Sequence, residues 1–286
     1  MTVVFLCVGA AKAGTDWLHR QLMSHPDCHL RIMKELHYFD AIDAGRLNAR
    51  LKYHAEQQKL MLESVAGTNI APSNTQAQWL TDRAEWLDVL EIGQEDISAY
   101  LDFLRRGAAP KQVVADMTPA YALLSIDRMQ RMARMAADVR FLYVLRDPVD
   151  RLWSHIRMVA ARRDANGRVT KARCDRILAR FLHGGEPQIA ERSDYASTIS
   201  KLLAAVPDRR LLIEVFEDMI AGDAFARICV FLGIARVKPS RIPVHEGQPL
   251  DMTLEQRDAA AAWLAPQYDA AAQALGGMPE AWRRKG

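Results

Sequence analysis

The chain has 286 residues and a formal net charge of +3; half of its residues are hydrophobic and 26% are charged. That balance is ordinary for a globular protein and too mild to argue for nucleic acid or a membrane surface as partner. Twenty-nine arginines stand against nine lysines, so a lysine in a suggestive place carries added weight.

The first apolar run, Val3–Val8, is six residues long with no basic leader before it. It is too short for a signal peptide or a spanning helix, and a cytoplasmic protein is expected. Cys7, Cys28, Cys174 and Cys229 show no C-x-x-C pair and no metal-type spacing with histidine. They read as reduced, structural thiols, and no metal site is expected.

Val3–Val8, Gln112–Ala115, Val139–Leu145 and Leu211–Phe216 are short apolar or β-branched runs, each followed by a turn signal and helical periodicity. The alternation predicts an α/β fold with a parallel central sheet flanked by helices. Thr15–Met23 is predicted as the first helix, burying Trp17, Leu18 and Leu22, with Pro26 marking its end. Residues Ala41–Pro110 read as a helical insertion, with Trp79, Trp86, Leu87 and Leu90 as core contacts. After the third strand, Asp147 is placed to cap a helix whose first residue is Pro148. A helix over Ala224–Leu232 stops at Gly233, and a last one runs over about Thr253–Leu275. The whole of 1–286 reads as one domain.

Between the first strand and the first helix, Gly9 and Gly14 bracket four residues, and Thr15 and Asp16 follow. The spacing is that of a triphosphate loop, but the lysine stands inside it at Lys12 instead of after the second glycine. The dinucleotide pattern fails because Ala11 occupies the place of its middle glycine. The third strand ends in Arg146, not in a metal-binding aspartate. The loop therefore suits a phosphate group held without magnesium, by helix N-terminal amides, the Thr15 hydroxyl and the Lys12 charge. A tight strand-to-helix turn with an exposed lysine is the plain alternative.

Arg146 falls at the carboxyl end of a strand, on the rim where open α/β sheets bind ligands. Ser154 lies eight residues on, about two helical turns. An arginine fork with a hydroxyl suits a second phosphate. The segment K-E-L-H-Y-F-D, Lys34 to Asp40, offers Glu35 and His37 as candidate general bases. Taken singly, each of these residues also fits an ordinary surface or core role.

Together the three elements resemble the sulfotransferases that use 3′-phosphoadenosine 5′-phosphosulfate (PAPS), in their carbohydrate and bacterial branch. Lys12 to Leu18, K-A-G-T-D-W-L, is similar to the family's 5′-phosphosulfate loop, K-x-G-T-x-x-L. Leu145 to His155, L-R-D-P-V-D-R-L-W-S-H, is similar to its 3′-phosphate element. Lys34 to Asp40 resembles its K-E-x-x-x-F-D element, and Thr118 to Tyr121 its T-P-A-Y element. Ser193-Asp194-Tyr195, and F-E-D-M before F-L-G-I, follow in the family's order.

The resemblance spans roughly Val3 to Leu275 and implies a P-loop-like sulfotransferase fold. It implies transfer of a sulfuryl group from PAPS to a hydroxyl or amine of an unidentified acceptor, a carbohydrate or small metabolite. Glu35 would be the base, with His37 as runner-up, and Lys12 would stabilise the leaving phosphate. Lys12, Ala13, Gly14, Thr15, Asp16, Trp17, Arg146, Ser154, Tyr195 and Arg241 would hold the donor, the last from a closing loop over Lys238 to Gln248. The sequence departs from the pattern at Asp16, an acid in an anion-binding loop, and at Asp116-Met117, where a lysine is usual. The alternatives are a P-loop kinase-like enzyme using ATP with magnesium, and a non-catalytic nucleotide-binding protein. Residues 157–180 hold eight basic residues against Asp164 and Asp175. They read as a solvated face, or as a lip for an anionic acceptor.

Overall fold

The computed structural model of the chain describes residues 2–67, 71–110, 112–239 and 250–283. Five parallel strands, β1 (Val4–Gly9), β2 (Cys28–His29), β3 (Val113–Asp116), β4 (Val139–Leu145) and β5 (Leu211–Val215), form one sheet in the order β2-β3-β1-β4-β5. Every residue of β1 is buried. It is the central strand, covered on both faces, which is why it reads as unbroken V-F-L-C-V instead of an alternating pattern. Val4 pairs with Val114 on one side and with Val139 on the other.

From β1 the chain first builds the β3 side of the sheet and then crosses back to build the β4 side. The loops after β1 and β4 therefore diverge, and a crevice opens at the carboxyl ends of these two strands. This is the expected α/β, P-loop-like architecture, and the four expected strands agree with it to within a residue or so at each end. The two-residue β2 was not foreseen. It is too short to carry a periodic signal, and its existence depends on pairing with β3.

The helices are α1 (Thr15–Met23), α2 (Tyr38–Asp43), α3 (Leu47–Ala66), α4 (Asn74–Glu91), α5 (Ile97–Arg105), α6 (Ile126–Arg134) and α7 (Pro148–Arg162), then α8 (Lys171–Leu182), α9 (Pro187–Glu191), α10 (Tyr195–Ala205), α11 (Phe216–Ala221), α12 (Asp223–Leu232), α13 (Leu254–Leu275) and α14 (Glu280–Arg283). The Asp147 carboxylate accepts from the Asp150 N–H at 2.9 Å and caps α7 as expected. It also accepts from the Tyr268 hydroxyl at 3.0 Å, tying α13 to the end of β4.

The stretch 41–110 holds α3 to α5, and its contacts are uneven. Along α3 only His54 is buried, whereas α4 and α5 press Trp86, Leu87, Leu90, Tyr100 and Phe103 inward. Tyr38 stacks on Tyr100 at 5.0 Å, and Trp86 lies 4.8 Å from Phe103, so this aromatic group fixes the segment leading into α2. Trp79 is a correction: it is only partly buried, with the Arg83 guanidinium 4.2 Å above its ring. Among the described residues no helix is long and apolar enough to cross a membrane.

Candidate active site

The crevice is a cleft of about 2070 Å³ at the carboxyl rim of β1 and β4. The loop from Ala10 to Gly14 forms its floor. Gly9 lies so close to β4 that a Cβ would come within 2.9 Å of the Tyr143 ring. Gly14 starts α1 in the left-handed region (φ 78°), where a Cβ would strike the Phe216 ring. Lys12 also takes a positive φ of 72°. A non-glycine residue there is uncommon, and such backbone clusters at ligand sites. Burial pushes the Lys12 ammonium down; Asp16 opposes this, while Arg146, Arg157 and Arg162 add to it.

Arg146 lies across from this loop. Its Nη1 donates to the Lys12 carbonyl at 3.1 Å, and its guanidinium sits 4.9 Å from the centre of the Phe216 ring. Its Nε is buried with no partner among the described residues. The two expected anion-binding elements are thus physically joined. Ser154 faces the same cleft from α7.

Tyr195 is placed differently from the expectation. It is fully buried, behind Arg146 and off the cleft wall. Its hydroxyl donates to the Arg146 carbonyl at 2.8 Å and lies 3.2 Å from the Arg146 N–H, which donates to it. It holds both backbone groups of Arg146. The Ala13 side chain is likewise fully buried, leaving only its backbone for the loop. Arg241 lies outside the described residues.

Lys34, quoted in the sequence motif but given no role, proves central. Its Nζ donates to the Thr15 hydroxyl at 3.1 Å and to the Asp16 carboxylate, and it reaches Glu35 Oε1 at 3.4 Å. The acid at position 16 is thereby paired. It points to Lys34 and holds that ammonium against the phosphate loop.

Glu35 and His37 both take left-handed backbone, with φ of 59° and 54°. This bend turns the two side chains toward each other: Glu35 Oε2 lies 3.6 Å from His37 Nε2, and His37 Nδ1 lies 2.8 Å from Asp40 Oδ2. The bend is held from below. The Thr118 hydroxyl accepts from the His37 N–H at 3.4 Å and donates to Asp116 at 2.7 Å. The other Asp116 oxygen accepts from Tyr100 and Tyr121, and the Tyr121 hydroxyl accepts from the Tyr38 N–H at 3.1 Å. The T-P-A-Y element and Asp116 are therefore a buttress under the candidate base.

Burial opposes charge on both members of the pair, and their contacts overcome it. Hydrogen bonds to Asp40 and Glu35 carry His37 up to about 9. The hydrogen bond from His37 and the charge of Lys34 pull Glu35 down to about 2. At neutral pH the site holds a carboxylate beside an imidazolium. His155, next to Ser154, goes the opposite way: burial and then Arg151, Arg192, Lys12 and Arg162 push it down to about 3, so its ring is neutral.

Residues 5–238 match the profile of the Sulfotransferase family. No curated protein matches the chain significantly. Among solved structures, a sulfotransferase from Alicyclobacillus acidocaldarius superposes with a TM-score of 0.64 at 21% identity, covering 98% of each chain. The sulfotransferase domain from the curacin biosynthetic pathway does so at 0.50 and 16% identity, covering 94% of this chain and 90% of its own. At such identity the structural likeness speaks for the fold alone. The family match spans most of the chain, including the phosphate loop, Glu35 and Arg146, and by it this protein is a member of the sulfotransferase family.

Proposed function

We propose that the chain, acting as one unit over 1–286, transfers a sulfuryl group from PAPS to a hydroxyl or amine of an acceptor, with Glu35 as general base. The observation that carries the donor reading is the Arg146–Lys12 contact. It joins the two expected anion-binding elements at one rim of the cleft. Lys12, the loop amides, Lys34 and Thr15 would hold the 5′ end of the nucleotide, and Arg146 with Ser154 its 3′-phosphate. When bound, PAPS supplies an activated sulfuryl group and departs as adenosine 3′,5′-bisphosphate.

The electrostatics favour Glu35 over His37 as base. At neutral pH both His37 nitrogens carry protons directed at Asp40 and Glu35, so the imidazolium has no lone pair to accept with. Glu35 keeps free lone pairs, and its side chain is about 44% exposed toward the cleft. His37 orients the carboxylate, and Asp40 orients His37. Lys12, partly buried at the floor of the cleft, would hold charge developing on the leaving phosphate.

A melting panel tests the donor. Adenosine 3′,5′-bisphosphate in a chelator should raise the melting temperature, by mass action on the folded state. Stabilisation by ATP with magnesium alone would instead support a kinase-like reading and refute this one.

A further inference from the structure

The cleft is lined by side chains of two kinds. Trp17, Phe216, Ile220 and Val237 are apolar and suit a nucleoside. Arg162 and Arg192 are basic and line the same cleft as Glu35 and His37. Arg192 also lines a small pocket with Ala11 and Pro119, and Pro119 follows the threonine that buttresses His37.

The arginines of this cleft differ in how they are paired. Arg163 and Arg180 both reach Glu186, at 2.7 Å and 3.3 Å, and are satisfied. Arg192 donates only to the Gln188 carbonyl, at 3.3 Å, and neither it nor Arg162 forms an ion pair among the described residues. Arg151 is fully buried and pairs with no carboxylate among the described residues. It donates to the Ser193 hydroxyl, and its Nε and Nη1 have no partner among the described residues. His155 between them stays neutral under the same field. A low-dielectric wall with one sign of charge concentrates the opposite charge in the cleft. The nucleotide's phosphates are already matched by Lys12, Lys34, Arg146 and the loop amides, so Arg192 and Arg162 remain for another anion.

We infer that the acceptor is itself an anion, whose carboxylate, phosphate or sulfate group is docked by Arg192 and Arg162 while its nucleophilic hydroxyl is delivered to Glu35. This rests on the PAPS reading of Lys12 and Arg146. A charge-assisted hydrogen bond to a guanidinium distinguishes a charged from a neutral acceptor by about tenfold or more.

The test is equilibrium binding to the full chain saturated with adenosine 3′,5′-bisphosphate, using three probes that share a 4-nitrophenyl group. These are its β-D-glucuronide, its phosphate monoester and its β-D-glucoside. At least one of the two anions should bind about tenfold more tightly than the glucoside, and the stronger of them shows which anion Arg192 and Arg162 prefer. Arg192→Gln should abolish that preference and keep the nucleotide affinity, and Arg162→Gln, at an exposed position, should reduce it. Equal binding of all three probes overturns the inference. So does a large loss of nucleotide affinity in Arg192→Gln, which would assign that arginine to the donor. A wild-type chain that fails to bind the nucleotide at all refutes the PAPS reading first, and the inference with it.

Discussion

Lys34 donates to the Asp16 carboxylate from the far side of the phosphate loop, and the same ammonium touches Thr15 and Glu35. One lysine thus links the start of α1 to the candidate base. An acid in an anion-binding loop would weaken binding if it faced the anion; here it anchors a cation. Asp16→Asn should lower kcat about 3–10-fold, the loss of one partly exposed charge-assisted contact, and change nucleotide affinity by no more than about threefold. Steady-state kinetics with a titration of adenosine 3′,5′-bisphosphate checks this. A markedly tighter nucleotide with unchanged kcat would mean that Asp16 merely repels the ligand.

Glu35→Gln keeps the shape and removes the proposed base. Turnover should fall by about 10²–10⁴, while nucleotide affinity stays near wild type. Lys12→Ala should cost about 10²–10³ in turnover and weaken the nucleotide as well. The split between the two variants, read in kcat and in nucleotide affinity, separates proton transfer from anion binding.

Tyr195 meets both backbone groups of Arg146 through one hydroxyl. Tyr195→Phe leaves a buried N–H and C=O without that partner, at a cost of about 1–3 kcal/mol. The expected result is a lower melting temperature and a several-fold weaker nucleotide, although Tyr195 is fully buried and does not line the cleft. A lower melting temperature with full nucleotide affinity would make its role structural only.

The ion pair of Glu35 and His37 sets a pH window. His37 is raised from 6.5 to about 9 in the folded chain, so its contribution to stability is complete below 6.5 and is lost as pH rises through about 9. Glu35 is lowered from 4.5 to about 2, so its contribution is complete above 4.5 and is lost as pH falls through about 2. The difference in melting temperature between wild type and His37→Gln should be largest between these bounds and vanish above about pH 9. The alkaline limb of the pH–rate profile should follow His37, and Asp40→Asn should move it to lower pH.

Much of this was legible in the sequence because the informative residues are local. The run V-V-F-L-C, the Gly9–Gly14 spacing and the Asp147-Pro148 helix start each carry their structure within a few positions. What escaped depends on contacts between distant segments. Lys34 meets Asp16 across 18 residues, and Tyr195 meets Arg146 across 49. Nothing in either segment announces the other. Glu35 and His37 were visible as residue types, but their facing geometry needs two left-handed residues that no propensity favours. Arg192 gave no signal because its importance lies in what it lacks, a carboxylate partner among the described residues.

The central claim is that Lys12 and Arg146 form one site for a 3′,5′-bisphosphorylated adenosine. Calorimetric titration of adenosine 3′,5′-bisphosphate into the full chain, in chelator, tests it most directly. The predicted result is saturable one-to-one binding that Arg146→Ala weakens about 10–150-fold, the worth of a charge-assisted pair. Absence of binding in the wild type, or binding that Arg146→Ala leaves unchanged, would contradict it.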